Sequence, residues 1–248
     1  MNRSREPSTP VVLLTCGDPA GIGPEVVCKA WGATSAHARA RLRVVADPAL
    51  LAAAVAGRPG LPPLPHVVVA ADDPRASRPD ELLVVAPDDP ASSTDVDGSP
   101  LAARGRAAAK AVLAAAAIVR AGRAAAVVTG PLHKEALRAA GYDAPGHTEL
   151  LARACGLPDD AASMMLWLPA ADGGPGGLGV VHATLHESLR SAVARLTASG
   201  ITAAGLRLAP LLAALLGRPP RIAVAALNPH GGEGGLFGDE EARLVAPA

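Results

Sequence analysis

The stretch Val11-Val-Leu-Leu-Thr-Cys-Gly-Asp-Pro-Ala-Gly-Ile-Gly-Pro-Glu25 decides the fold. A short apolar, β-rich run ends in a glycine-rich loop, and a helix is expected over 25–32 with Pro24 at its favoured first position. The same alternation recurs along the chain. Strands are expected at 42–46, 67–70, 82–86, 124–129, 164–168, 179–184 and 222–227. Helices are expected at 49–57, 101–121, 132–140, 187–196 and 203–216. The 101–121 segment is rich in alanine, the best helix former, and Gly122 closes it, as Gly141 closes 132–140. Strands alternating with helices over the whole length predict an α/β fold with a largely parallel sheet. Residues 1–10 read as a loose tail, and 58–65, 87–100 and the glycine-rich turn Gly173–Gly177 as connections.

Composition narrows the function classes. The chain has 248 residues, enough for a full core, and half of them are apolar. Aromatics are only 2%, so the core must be built from Ala, Val and Leu, which disfavours stacking of nucleic-acid bases. The 23 basic and 23 acidic residues cancel, and no polybasic tract is present, so no nucleic-acid partner is expected. Cys16, Cys28 and Cys155 show no CxxC spacing, which fits a reducing cytoplasm. No signal peptide is read at the N-terminus, and no apolar run is read as approaching the roughly 20 residues of a membrane helix. A soluble cytoplasmic protein with no membrane partner is expected.

Five polar segments fall at expected strand ends or helix starts. The loop 17–25 sits between strand and helix, where backbone amides can cradle an anion, though it lacks the Walker and GxGxxG spacings. Thr129-Gly-Pro-Leu-His-Lys134 offers His133 and Lys134, either to an anion or merely to solvent at a first helical turn. Pro145-Gly-His-Thr-Glu149 places His147 and Thr148 at a helix N-terminus, as an anion site or as a plain cap supported by Glu149. His182-Ala-Thr-Leu-His186 imitates HExxH but has Ala183 for the glutamate, and it follows a strand rather than lying on a helical face. Asn228-Pro-His-Gly-Gly-Glu-Gly-Gly-Leu-Phe-Gly-Asp-Glu-Glu241 puts His230 and Glu233 in a glycine-rich turn after the run 222–227. His186 and His230 could share one divalent metal, but two ligands leave such a site incomplete.

GDPAGIGPE, TGPLHKEALRAAG, PGHTELLA, the MML strand and NPHGGEGGLFGDEE, taken together and in this order, resemble the 4-hydroxythreonine-4-phosphate dehydrogenase family, PdxA. The resemblance runs from about Val11 to the end and implies a two-lobed fold like isocitrate and isopropylmalate dehydrogenases, with a mixed, largely parallel sheet. It implies a homodimer, a divalent metal (Zn, Mg or Co) and NAD or NADP. The implied reaction oxidises 4-phosphooxy-L-threonine, whose product loses CO₂ to give 3-amino-2-oxopropyl phosphate in pyridoxal 5′-phosphate (vitamin B6) biosynthesis. The metal would lower the pKa of the substrate hydroxyl, and the nicotinamide would take the hydride.

Position by position, His147 and Thr148 match substrate-contacting residues, and His186 and His230 match two of three metal-binding histidines. Asn228 and Glu233 are expected to order the His230 loop. The third histidine of the family stands in a Tyr-His-Asp-Gln motif with no counterpart here, and His37 and His66 are not expected to replace it. Residues 11–248 are therefore expected to form one C-terminally incomplete region, inactive or severely impaired alone and prone to oligomerise. Phosphorylated erythronate or threonate, or a cis-dihydrodiol carboxylate, are the alternative substrates, and a non-catalytic phospholigand-binding remnant is the alternative class.

Overall fold

The computed structural model describes residues 9–56, 58–61, 64–88, 100–171 and 176–248. Most of the expected tail and of the 87–100 connection lies outside these residues, as do parts of the 58–65 connection and the Gly173–Gly177 turn. The chain divides into two compact units, one ending at Ala161 and the other starting at Ala162.

The first unit is built on a parallel sheet of five strands in the order β3-β4-β2-β1-β5. The strands are β1 (Val11–Thr15), β2 (Arg41–Val45), β3 (His66–Val68), β4 (Leu82–Val85) and β5 (Ala126–Thr129). β1 pairs Val11 with Arg41 of β2 on one side and Val12 with Ala126 of β5 on the other. The helices are α1 (Gly23–Ala33), α2 (Pro48–Val55), α3 (Pro100–Arg120), α4 (Lys134–Ala139) and α5 (His147–Ala154). Parallel pairing requires a crossover between strands, and the α/β alternation supplies it. From β1 the chain winds first toward β2, and it later returns to lay β5 on the other side. That reversal puts a crevice at the carboxyl ends of β1 and β5, where open α/β sheets bind ligands.

The core is aliphatic, as the composition requires. Leu13, Val44, Val45 and Val84 are fully buried, with Trp31 of α1 beneath them. The inner face of α3 is mostly small residues: Ala102, Gly105, Ala108, Ala109, Val112, Ala115 and Ala116 are buried. At Gly105 a Cβ would stand 1.9 Å from the Ala136 carbonyl oxygen, so α3 and α4 touch backbone to backbone. Gly122 and Gly141 follow α3 and α4 in the left-handed region, as glycine stop signals. The fully buried Arg43 interrupts the core. The Arg43 guanidinium donates to the carbonyls of Leu42, Asp73 and Arg75 and so ties the loop before β4 to β2.

The second unit holds an antiparallel hairpin, β6 (Met165–Pro169) and β7 (Gly177–Val181), with α6 (Leu189–Arg195) and α7 (Ala198–Leu216). Leu208, Leu212 and Leu216 of α7 pack on Met165, Trp167 and Val181. Thr197 caps α7 by accepting from the Gly200 N–H at 3.1 Å, and Gly217 ends it in the left-handed conformation.

Two sequence expectations are corrected here. Residues 222–227 form no strand and join no sheet among the described residues, and Ile222, Val224 and Leu227 are exposed. Apolar periodicity reports a tendency, whereas a strand exists only where a neighbour completes its hydrogen-bond ladder. The other correction is that α7, with 19 residues and mean hydropathy 1.5, is long and apolar enough to cross a membrane by length and composition. Its stripe at 208, 212 and 216 is instead buried against the hairpin, the i, i+4 pattern of a helix packed on a core.

Candidate active site

The first cluster lies at the carboxyl ends of β1 and β5, where two loops interlock. The Asp18 N–H donates to the Pro131 carbonyl at 3.0 Å, and the Gly130 N–H donates to the Thr15 carbonyl at 2.6 Å. Glycine is required at the crossing. A Cβ on Gly17 would stand 2.1 Å from the Pro131 oxygen, and Gly17 already has φ +70°.

Asp18 lies at the centre of this knot, with only 5% of its surface exposed. Its carboxylate accepts from the Ala20 N–H at 3.0 Å and from both Nε and Nη2 of Arg104 on α3. Burial pushes the Asp18 carboxyl up, but the Arg104 bonds, the Ala20 amide and the nearby His133 outweigh it. The net shift is below the usual carboxylate range.

His133 caps α4, its Nδ1 accepting from the Ala136 N–H at 3.2 Å. A neutral His133 must therefore carry its proton on Nε2. Lys134 is exposed in the first turn of α4, the solvated alternative read from the sequence.

His147 and Thr148 open α5, as expected. Gly146 is the N-cap, and no side chain caps the helix among the described residues, so the cap expected with Glu149 does not form. The first backbone amides of α5 have no intrahelical acceptor and point outward from its positive end. Thr148 is exposed, whereas His147 is half-buried. Burial pushes the His147 imidazole pKa down, and a hydrogen bond to the Gly130 backbone only partly opposes this. Its Nε2 is buried without a partner among the described residues. A neutral imidazole, a hydroxyl and open amides are together suited to holding a polar, anionic ligand.

The other two polar segments both belong to the second unit. β7 ends at Val181, and 182–188 are turns rather than helix, so His182 and His186 do not share a helical face. Ser188 caps α6 by accepting from the Ser191 N–H at 3.1 Å.

Asn228 then leads into the loop that carries His230. Residues 230 to 234 all have positive φ, making one left-handed turn: His230 53°, Gly231 65°, Gly232 80°, Glu233 43° and Gly234 67°. His230 packs obliquely on Phe237, with ring centroids 6.4 Å apart.

Among the described residues only three that are not glycine have positive φ: His186, His230 and Glu233. Left-handed backbone costs a residue with a Cβ about 1–2 kcal/mol, and such strain gathers at functional positions. Both histidines expected to bind metal are thus held in the disfavoured conformation.

The ordering of the His230 loop departs from expectation. Glu233 is exposed and does not brace it. Glu241 does: its Oε1 accepts the N–H groups of Leu227 at 2.9 Å and Asn228 at 2.6 Å, and its Oε2 accepts Asn228 Nδ2 at 2.9 Å. Asn228 Nδ2 also donates to Glu240, so the expected role of Asn228 holds. Sequence reasoning missed Glu241 and Arg104 because each acts on a partner distant in the chain. The Glu-Glu pair closing the glycine loop was the one available signal.

Residues 38–248 match the family of the pyridoxal phosphate biosynthetic protein PdxA. The chain belongs to the PdxA family. It is 38% identical over 242 residues to a 4-hydroxythreonine-4-phosphate dehydrogenase of Desulfosudis oleivorans, covering 96% of this chain and 68% of that protein. It is 39% identical over 251 residues to a D-threonate 4-phosphate dehydrogenase of Bordetella bronchiseptica, covering all of this chain and 68% of that protein. The crystal structure of a 4-hydroxythreonine-4-phosphate dehydrogenase from Klebsiella pneumoniae superposes with a TM-score of 0.81 at 35% identity, covering 96% of this chain and 70% of the other. A terephthalate 1,2-cis-dihydrodiol dehydrogenase from Burkholderia xenovorans is similar at a TM-score of 0.59 and 30% identity, over 96% of this chain and 68% of that one. The general function of this PdxA chain is that of a dehydrogenase.

Proposed function

We propose that this chain serves an NAD(P)-linked oxidation of 4-phosphooxy-L-threonine, with decarboxylation to 3-amino-2-oxopropyl phosphate, in the biosynthesis of pyridoxal 5′-phosphate. The observation that carries the reading is the left-handed backbone at His186 and His230, the two positions matching family metal ligands. His147, Thr148 and the open amides of α5 would hold the substrate. No residue of the chain is assigned to the nicotinamide cofactor.

His186 and His230 supply two imidazoles toward a divalent ion such as zinc, magnesium or cobalt. Among the described residues no third His, Cys, Asp or Glu joins a cluster able to hold a metal. A catalytic zinc takes three protein ligands, so the described residues do not complete its shell and no step is routed through it. For the same reason turnover by these 248 residues alone is proposed to be absent or severely impaired.

Residues 11–248 are read as one dehydrogenase region, and its two compact units support a two-lobed fold akin to isocitrate and isopropylmalate dehydrogenases. The three free cysteines support a reducing cytoplasm. A homodimer is supported by the outer face of the hairpin, where Leu166 faces Val180 and Leu168 faces Leu178, all four side chains exposed.

The 39% identity to the D-threonate 4-phosphate dehydrogenase favours a second reading, in which that phosphorylated acid is the substrate. Calorimetric titration of the chain with both phosphorylated acids, alongside NADH formation with added zinc or magnesium, tests the two readings. One ligand is expected to bind, about tenfold more weakly to a His147→Gln variant that loses a hydrogen bond to it. Binding of neither compound would remove the phosphorylated hydroxy acid as substrate. Binding under conditions that complete the metal and cofactor sites, yet without NAD reduction, would leave only a phospholigand-binding protein.

A further inference from the structure

The left-handed turn carrying His230 pairs with no strand among the described residues. Its own carbonyls and amides make long closures: Gly231 N–H to Asn228 O at 3.2 Å, Phe237 N–H to Gly232 O at 3.2 Å and Leu236 N–H to Glu233 O at 3.4 Å. Three shorter bonds at the entry to the loop converge on the Glu241 carboxylate from beyond it. Glu241 opens a single π-helical turn, Glu241–Val245, and reaches back 13 and 14 residues to the amides of Asn228 and Leu227. Its other oxygen holds the Asn228 side chain, which Glu240 shares at 2.7 Å. The loop is packed onto this carboxylate: Gly232 is buried, and a Cβ there would stand 3.0 Å from Glu241 Oε2 and 2.8 Å from the Gly238 carbonyl oxygen.

We infer that Glu241 is a positioning residue for His230, its carboxylate holding the loop closed so that the imidazole is presented from a left-handed backbone. The inference rests on the reading of His230 as a ligand residue. Physically it needs only a general rule: backbone strain persists where surrounding contacts over-determine it. Glu241 supplies those contacts. Removing the carboxylate leaves the Leu227 and Asn228 amides without their acceptor and frees the turn to relax toward ordinary φ. The Asn228 side chain would keep its bond to Glu240. Metal ligands held this way lose about ten- to a hundredfold in affinity when their supporting group is removed.

The test is heteronuclear NMR of the full 248-residue chain, reading the HN–Hα coupling and Cα/Cβ shifts of His230 and Glu233, with zinc titrated against the imidazole signals. In Glu241→Ala both residues are expected to lose the left-handed signature. Zinc broadening or shifting of the His230 ring should need at least about tenfold more metal. The His147 signals and the melting midpoint are expected to stay unchanged. Glu241→Gln keeps a carbonyl acceptor for the two amides and should restore the left-handed coupling, which also serves as the reading if the alanine variant does not fold. Retention of the left-handed signature at His230 in Glu241→Ala would overturn the inference, as would its loss in both variants together with a fall in the melting midpoint. If zinc fails to perturb His230 in the parent chain, the metal reading fails, but the coupling measurement still decides the positioning role.

Discussion

Arg104 grips Asp18 with two parallel hydrogen bonds, Nε to Oδ1 at 3.0 Å and Nη2 to Oδ2, across 86 residues of chain. The pair ties α3 to the loop after β1, and through the Asp18 amide to the loop after β5. With the Asp18–Pro131 and Gly130–Thr15 backbone bonds it holds the loops that carry the crevice. A bidentate guanidinium–carboxylate contact adds direction as well as attraction.

Breaking this pair should be costly, because Asp18 would remain buried without its counter-charge. Its side chain is 7% exposed and that of Arg104 34%, so the loss is set below that of a fully buried pair, at about 2 kcal/mol for Arg104→Ala. Urea unfolding of the parent and the variant measures it. A change within experimental error would mean that the loops hold themselves.

The same carboxylate sets an acid limit. The native Asp18 pKa lies below its ordinary value of 3.8, so its contribution is present above that pH and is lost as pH falls through the lowered native value. Stability of the parent chain is expected to drop on acidification in that window. Asp18→Asn should start lower and show a flatter profile there, which denaturant midpoints at several pH values would reveal.

His147 also loses stability on acidification, but because its neutral form is the one favoured. Burial lowers its pKa below the ordinary 6.5, so the ring is mostly neutral at pH 7, and its Nε2 has no partner among the described residues. The unfolded chain binds that proton more readily, so stability falls as pH drops from 6.5 through the lowered native value. Imidazole NMR titration should place the His147 midpoint below 6.5. A midpoint above 6.5 would contradict the burial argument.

Gly105 tolerates no side chain. With a Cβ placed 1.9 Å from the Ala136 oxygen, Gly105→Ala must push α4 away from α3, at about 1–3 kcal/mol. The expected signs are a lower melting midpoint and a changed environment at His133, whose ring caps α4 through Ala136. An unchanged melt would show that α4 shifts freely.

The hairpin face offers a test of association. Leu168 is 66% exposed beside Leu178 at 60%, a cross-strand apolar pair left uncovered among the described residues. Leu168→Glu is expected to shift the chain from dimer to monomer in sedimentation velocity, without loss of helix signal. A dimer that survives the substitution would place the interface elsewhere.

Local patterns carried much of the fold into view. β1 was read at its observed boundaries, and α3 and β5 to within one or two residues, because apolar runs and alanine-rich stretches act on their own neighbourhood. The glycines that end α3 and α4 were equally legible. The 222–227 run shows the limit of this reasoning, since its side chains suit a strand but no neighbouring strand meets it. Glu233 shows another limit. Proximity in sequence suggested that it braces His230, yet the brace is Glu241, on the far side of the loop.

By itself, then, the sequence determined which segments become strands and helices, where most of them stop, and which histidines stand at their ends. Those properties depend on dihedral preference and on apolar period, which act over a few residues. Only the tertiary structure decided that Asp18 meets Arg104, that β5 lies beside β1, and that His186 and His230 are held left-handed. Such contacts join residues far apart in the chain. Their free energy exists only once the intervening segments have packed, and no local pattern records it.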